Sequence, residues 1–109
     1  MTERLLRARR RFIMVESSAH VSPEAVSEAV RDVFEKLYGR VGLSDSGFRS
    51  MMFDGRLVLS CYKEWLPRLV LAVSLVRRVK GVDAVVRTVR ISGTVRGLRR
   101  SGVQARDHA

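Results

Sequence analysis

Five arginines flank a small-residue turn late in the chain: Arg87 and Arg90 precede Ser92-Gly93-Thr94, and Arg96, Arg99 and Arg100 follow it. A guanidinium grips phosphate through two parallel N–H donors, and a turn of small residues lets backbone N–H groups and hydroxyls come close to a polyanion. The chemistry expected is therefore the holding of a phosphate backbone. A local role fits the same residues, because Gly93 can end a strand while Thr94 caps a short helix. The two roles are compatible. Arg9, Arg10 and Arg11 make a second basic cluster near the start.

Charge balance favours a polyanionic partner. Twenty-one Lys plus Arg stand against 11 Asp plus Glu, a net charge of +10. The surplus sits at the two ends, since residues 12–76 carry Arg31, Lys36, Arg40, Arg49, Arg56, Lys63 and Arg68 against eight acids. Arg predominates over Lys, which suits planar recognition of phosphate.

Groups able to make or break bonds are sparse. His20 follows the first strand and is the one candidate general base, but His108 is the only other histidine, and no Asp, Glu or Cys cluster has metal-ligand spacing with either. General acid–base work needs an oriented partner, so His20 reads as a loop residue. Cys61 reads as core, Asp54 as half of an Asp54-Gly55 turn, and Glu16 as a strand end. No metal or cofactor is expected on the chain itself.

The elements that position these residues follow from pattern. At 109 residues the chain suits one domain, 1–109, with a basic N-terminal arm at 1–10 and a basic, mobile tail at 98–109. The longest apolar stretch, Trp65 to Val76, is interrupted and too short to cross a membrane. With no signal peptide in evidence and Cys61 alone, a reducing cytoplasm is expected. Phe12 to Val15 reads as a strand. Ser22-Pro23-Glu24 opens a helix whose apolar residues recur at three and four, with Gly39 as its left-handed cap and Gly42 to Gly47 as a polar connection. Phe48 to Phe53 and Leu57 to Lys63 form a hairpin through Asp54-Gly55. A second helix spans Glu64 to Val79, Gly81 ends it, and Val82 to Ser92 is the last strand. The order is βαββαβ: an α+β, ferredoxin-like sandwich with two helices on one face of an antiparallel sheet.

A two-residue hairpin loop pairs Phe53 with Arg56 and sorts the side chains by face. Phe48, Met52, Leu57, Leu59 and Cys61 form the seat for the helices. Arg49, Met51, Phe53, Arg56, Val58 and Tyr62 share the other face, joined by Phe12, Met14 and Arg90. Phe12, Met14, Met51, Phe53 and Tyr62 there need cover, and because the residues after Gly97 are mostly basic or small, a partner protein is the expected cover.

Several segments together resemble one family. They are Arg10-Arg11-Phe12-Ile13-Met14-Val15-Glu16, Leu37-Tyr38-Gly39-Arg40-Val41-Gly42-Leu43, Leu59-Ser60-Cys61-Tyr62-Lys63 and Ala72-Val73-Ser74-Leu75-Val76. The closing Arg87-Thr88-Val89-Arg90-Ile91-Ser92-Gly93-Thr94-Val95-Arg96 is the most specific. Over nearly its whole length the chain is similar to archaeal ribonuclease P protein component 2, whose eukaryotic relatives belong to ribonucleases P and MRP. It departs from that family at Ser60, where a basic residue usually precedes the Cys.

The resemblance implies a non-catalytic subunit of a ribonucleoprotein that removes the 5′ leader of precursor tRNA, with magnesium on the catalytic RNA subunit. It implies pairing with a TIM-barrel-like protein subunit, and admits a homodimer contact within a heterotetramer. Two other classes share the fold. A ferredoxin-like RNA endonuclease would use His20, and a ribosomal or stand-alone RNA-binding domain would stack bases on its sheet. The third strand, Leu57 to Tyr62, lacks the aromatic pattern for stacking, and Tyr38 and Trp65 at helix positions suit the core.

Overall fold

A computed structural model of the chain describes residues 9–99. The elements run β1 (Arg10–Ser17), α1 (Pro23–Asp45), β2 (Arg49–Phe53), β3 (Arg56–Tyr62), a 3-10 turn (Lys63–Trp65), α2 (Leu66–Leu75), β4 (Arg78–Val79), β5 (Val82–Asp83) and β6 (Val86–Ser92). Four strands make one antiparallel sheet in the order β2-β3-β1-β6. Both helices pack on one face of it, so the ferredoxin-like α+β arrangement holds, with the small β4–β5 hairpin as an addition.

The first helix starts as its sequence dictates. Ser22 Oγ accepts from the Ala25 N–H at 3.1 Å, and Pro23 occupies the first turn, where no N–H is needed. Gly39 breaks it with φ 76° and ψ 176°. Beyond that break the chain turns helical again through Asp45, where a polar connection was expected. Packing explains the difference. A Cβ on the buried Gly42 would fall 2.7 Å from Tyr38 Cβ, with the Trp65 ring 3.4 Å away, so this glycine lets the second helical stretch fold back against Tyr38 and Trp65. Trp65, Tyr38, Phe34 and Phe48 form an aromatic cluster with ring centroids 4.8–6.2 Å apart around Phe34.

The second helix is shorter than its apolar pattern suggested, ending at Leu75 instead of Val79. Gly81 ends no helix. Lys80 and Gly81 have φ of 52° and 77° and form the two-residue turn of the β4–β5 hairpin, which pairs Val79 with Val82. β-branched Val76, Val79 and Val82, with a turn at Lys80-Gly81 that a helix cannot accommodate, favour that extended course. The final strand accordingly starts at Val86.

Alternation along the strands builds two separate apolar layers. Ile13, Val15, Leu57, Leu59 and Cys61 face the helices and meet Val30, Phe34, Leu69 and Val73. Burial pushes the Cys61 thiol up to about 11, so this sulfur is an inert core atom. Met52 pairs with Leu57 and so shares that face, but at the sheet edge it stays 46% exposed. On the opposite face, Met14 and Val58 are buried beneath Leu98, itself 0% exposed, with Phe12 and Phe53 packed alongside.

That last contact corrects two expectations. Residues 95–99 form a helical turn seated on the sheet, so the C-terminal segment begins as structure at Leu98 and Arg99, where a mobile tail was expected. The chain itself thus covers Met14 and Val58, the centre of the face assigned to a partner, because a single Leu suffices to plug it. The rest of the supposed tail, Arg100 included, and residues 1–8 of the supposed arm lie outside the described residues.

Candidate nucleic-acid interface

The open face of the sheet gathers arginines from distant parts of the chain. Cross-strand register aligns Arg49 with Ser60 and Phe12 with Ser92, Met51 with Val58 and Met14 with Arg90, Phe53 with Arg56, and Glu16 with Arg87. A bulge between Met14 and Val15 inserts Val89 as an extra residue, which keeps Arg90 on the open face while Thr88 returns to the helix side. Arg10, Arg49, Arg56, Arg87, Arg90 and Arg99 therefore share this side with two carboxylates, Glu16 and Asp54. The imbalance leaves a cationic surface.

These guanidiniums differ in how far they are committed within the fold. Arg10 is a structural staple: it donates to the Gly47 carbonyl and, at 2.9 Å, to Ser60 Oγ, while stacking 5.0 Å from the Tyr62 ring centroid. Burial, followed by repulsion from Arg49, lowers its pKa. Glu16 accepts from Arg87 at 2.6 and 3.1 Å and from Arg56 at 3.3 Å. The Arg87 hydrogen bonds lead in holding this carboxyl below its ordinary range. Arg99 reaches back to the hairpin turn, forking onto Asp54 at 2.7 and 2.9 Å and lying 5.4 Å from the Phe53 ring centroid. Those bonds lower the Asp54 pKa and raise that of Arg99.

At Ser92-Gly93-Thr94 the local role dominates. Thr94 Oγ1 accepts from the Gly97 N–H at 2.9 Å, capping the helical turn, and Ser92 Oγ accepts from the Thr94 N–H at 3.2 Å. Gly93 has no positive φ, and a Cβ there would find only the Arg11 guanidinium, at 3.4 Å. Gly97 is the tight position: a Cβ on it would fall 2.0 Å from Ser92 Oγ. Arg9 and Arg96 are exposed and make no ion pair among the described residues.

The expected RNA-binding residues thus divide. Arg87, Arg90 and Arg99 come together on the open face, Arg10 is built into the fold, and Arg11 lies beside Gly93. Arg96 stands apart on the exposed side of the turn. Arg56 and Arg49 were placed on this face by alternation alone but not counted as site residues. The missing signal was three-dimensional, since only the bulge and the return of residues 95–99 bring Arg56, Arg90 and Arg99 together. His20 is exposed on the loop after β1, and no group of three potential metal ligands occurs among the described residues. Tyr38 and Trp65 pack against the core, as their helical spacing implied.

An α+β sheet with a cationic open face defines a class broader than any one family. The family itself is shown by sequence: residues 8–102 match the model of the Rpp14/Pop5 family, and the chain belongs to it. Among its relatives is ribonuclease P protein component 2 of Archaeoglobus fulgidus, 32% identical over 98 residues, an alignment covering 87% of this chain and 89% of that protein. A chain in a cryo-EM structure of yeast ribonuclease MRP has the same fold, with a TM-score of 0.63 at 7% identity over 94% of this chain and 97% of that one.

Proposed function

We propose that this chain is a non-catalytic, RNA-binding protein subunit of ribonuclease P, assisting a catalytic RNA in removing the 5′ leader of precursor tRNA. The observation that carries the reading is the near full-length similarity to an archaeal ribonuclease P protein component. The cationic open face supports it, because excess guanidinium on a sheet suits a phosphate backbone. In this reading magnesium belongs to the RNA, and the chain works in the cytoplasm beside precursor tRNA. A TIM-barrel-like protein subunit is the proposed protein partner, with a homodimer contact joining two such pairs. Met14 is removed from the contact by Leu98, so Met51, 40% exposed, with Phe12, Phe53 and Tyr62 beside it, is the apolar area left for that partner.

Reconstitution tests the reading. The purified chain alone should leave precursor tRNA intact and should raise cleavage by its cognate RNA subunit at moderate magnesium. His20→Ala should keep that activity, because no proton transfer is assigned to it. Cleavage by the chain alone, or a drop of about a hundredfold or more in His20→Ala, on the scale of a lost general base, would favour the endonuclease.

A further inference from the structure

Beside the helical turn at residues 95–99, the open face holds a groove of about 350 Å³, lined by aliphatic Met14 and Val89 and by Asp54, Arg56, Arg90 and Arg99. Three guanidiniums meet one carboxylate there. Two already have partners, Arg99 on Asp54 and Arg56 on Glu16. Arg90 has no ion-pair partner among the described residues. Its Nη1 donates to the Val89 carbonyl at 3.0 Å, and its Nε is buried with no acceptor. A guanidinium cannot shed its charge to relieve such a site, and an anion seated in the adjoining groove would supply both the missing acceptor and the counter-charge.

We propose that this groove is a phosphate site, in which one phosphodiester of bound RNA seats against Arg90 with Arg56 and Arg99 flanking it. The ligand rests on the RNA-binding reading above. The location goes beyond it, moving the principal phosphate contact from the Ser92-Gly93-Thr94 turn, whose hydroxyls are committed to capping, onto the open face. A backbone phosphate fits better than a base, because the lining offers guanidinium and aliphatic carbon but no ring for stacking. Asp54 tempers the site by holding Arg99 and adding a negative charge to its rim.

Two variants with opposite expected effects test this. Asp54 and Gly55 have φ of 53° and 75°, the geometry of a hairpin turn that Asn-Gly fits at least as well as Asp-Gly, so Asp54→Asn removes the carboxylate without straining the turn. Isotope-labelled full chain is titrated with inorganic phosphate, following the Arg90 Nε–H resonance, and RNA affinity is measured over a salt series. Phosphate should shift the Arg90 signal saturably. Arg90→Gln should weaken RNA binding about tenfold or more and flatten the salt slope by about 0.7 to 0.9, as one lost charged contact implies. Asp54→Asn should tighten both phosphate and RNA binding several-fold, a gain that damage to the fold cannot produce. An Arg90 signal indifferent to phosphate overturns the site, and RNA affinity unmoved in folded Arg90→Gln or untightened in Asp54→Asn overturns its assignment to RNA. A chain that binds phosphate at Arg90 but no RNA would sink the proposed function and leave the anion site standing.

Discussion

Arginines that look equivalent in the sequence play different parts once their partners are known. Arg10 joins β1 to the loop before β2 through the Gly47 carbonyl, and to β3 through Ser60 Oγ and the Tyr62 ring. Arg10→Ala should therefore cost about 1–3 kcal/mol of stability in denaturant unfolding, the range for losing hydrogen bonds from a charged donor. Asp54 gives a pH prediction whose sign follows from its lowered pKa. A carboxylate depressed on folding stabilises above its unfolded value and loses that contribution as pH falls, so the contact with Arg99 should be complete above about pH 4 and weaken below it. Amide protection factors at residues 95–99, with the intrinsic pH dependence of exchange divided out, should fall over that acidic window in the parent chain and stay flat in Asp54→Asn. None of this pairing was legible beforehand, since Arg10 to Ser60 and Asp54 to Arg99 span 50 and 45 residues.

Among the elements, those written in local pattern were readable and those set by tertiary contact were not. Ser22-Pro23, Gly39 and Asp54-Gly55 each state a backbone geometry, and each appears where the sequence puts it. The hairpin register then sorted Leu57, Leu59 and Cys61 from Val58 and Tyr62 correctly. By contrast, the 95–99 turn has one buried apolar residue, Leu98, too little for any periodicity to reveal. Its dependence on Gly97 is open to test. Gly97→Val should unseat the turn and expose Met14, costing about 1–3 kcal/mol as overpacking does, whereas Gly93→Val should cost much less, its Cβ meeting only the movable Arg11 side chain. Thermal unfolding of the two variants side by side checks the contrast.

For the molecule as a whole, a net charge of +10 favours RNA, while the number of phosphates its cations neutralise sets how that affinity responds to salt. Arg96, exposed and without an ion pair among the described residues, should flatten the salt slope by about 0.7 to 0.9 when changed to Ala if it touches a phosphate. Arg10→Ala should leave the slope nearly unchanged, its guanidinium being turned into the fold. Binding isotherms from low to moderate salt separate the two. Sheet order carries a different kind of consequence. β1 sits between β3 and β6 and pairs with no strand near it in sequence; its Glu16–Arg87 contact closes a separation of 71 residues. While the β2–β3 hairpin can form by itself within microseconds, β1 must wait, apolar and with both edges unpaired, for distant chain to arrive. Time spent waiting is time open to intermolecular strand pairing, so conditions that slow folding should favour aggregation through Phe12-Ile13-Met14-Val15 ahead of any other segment of the sheet.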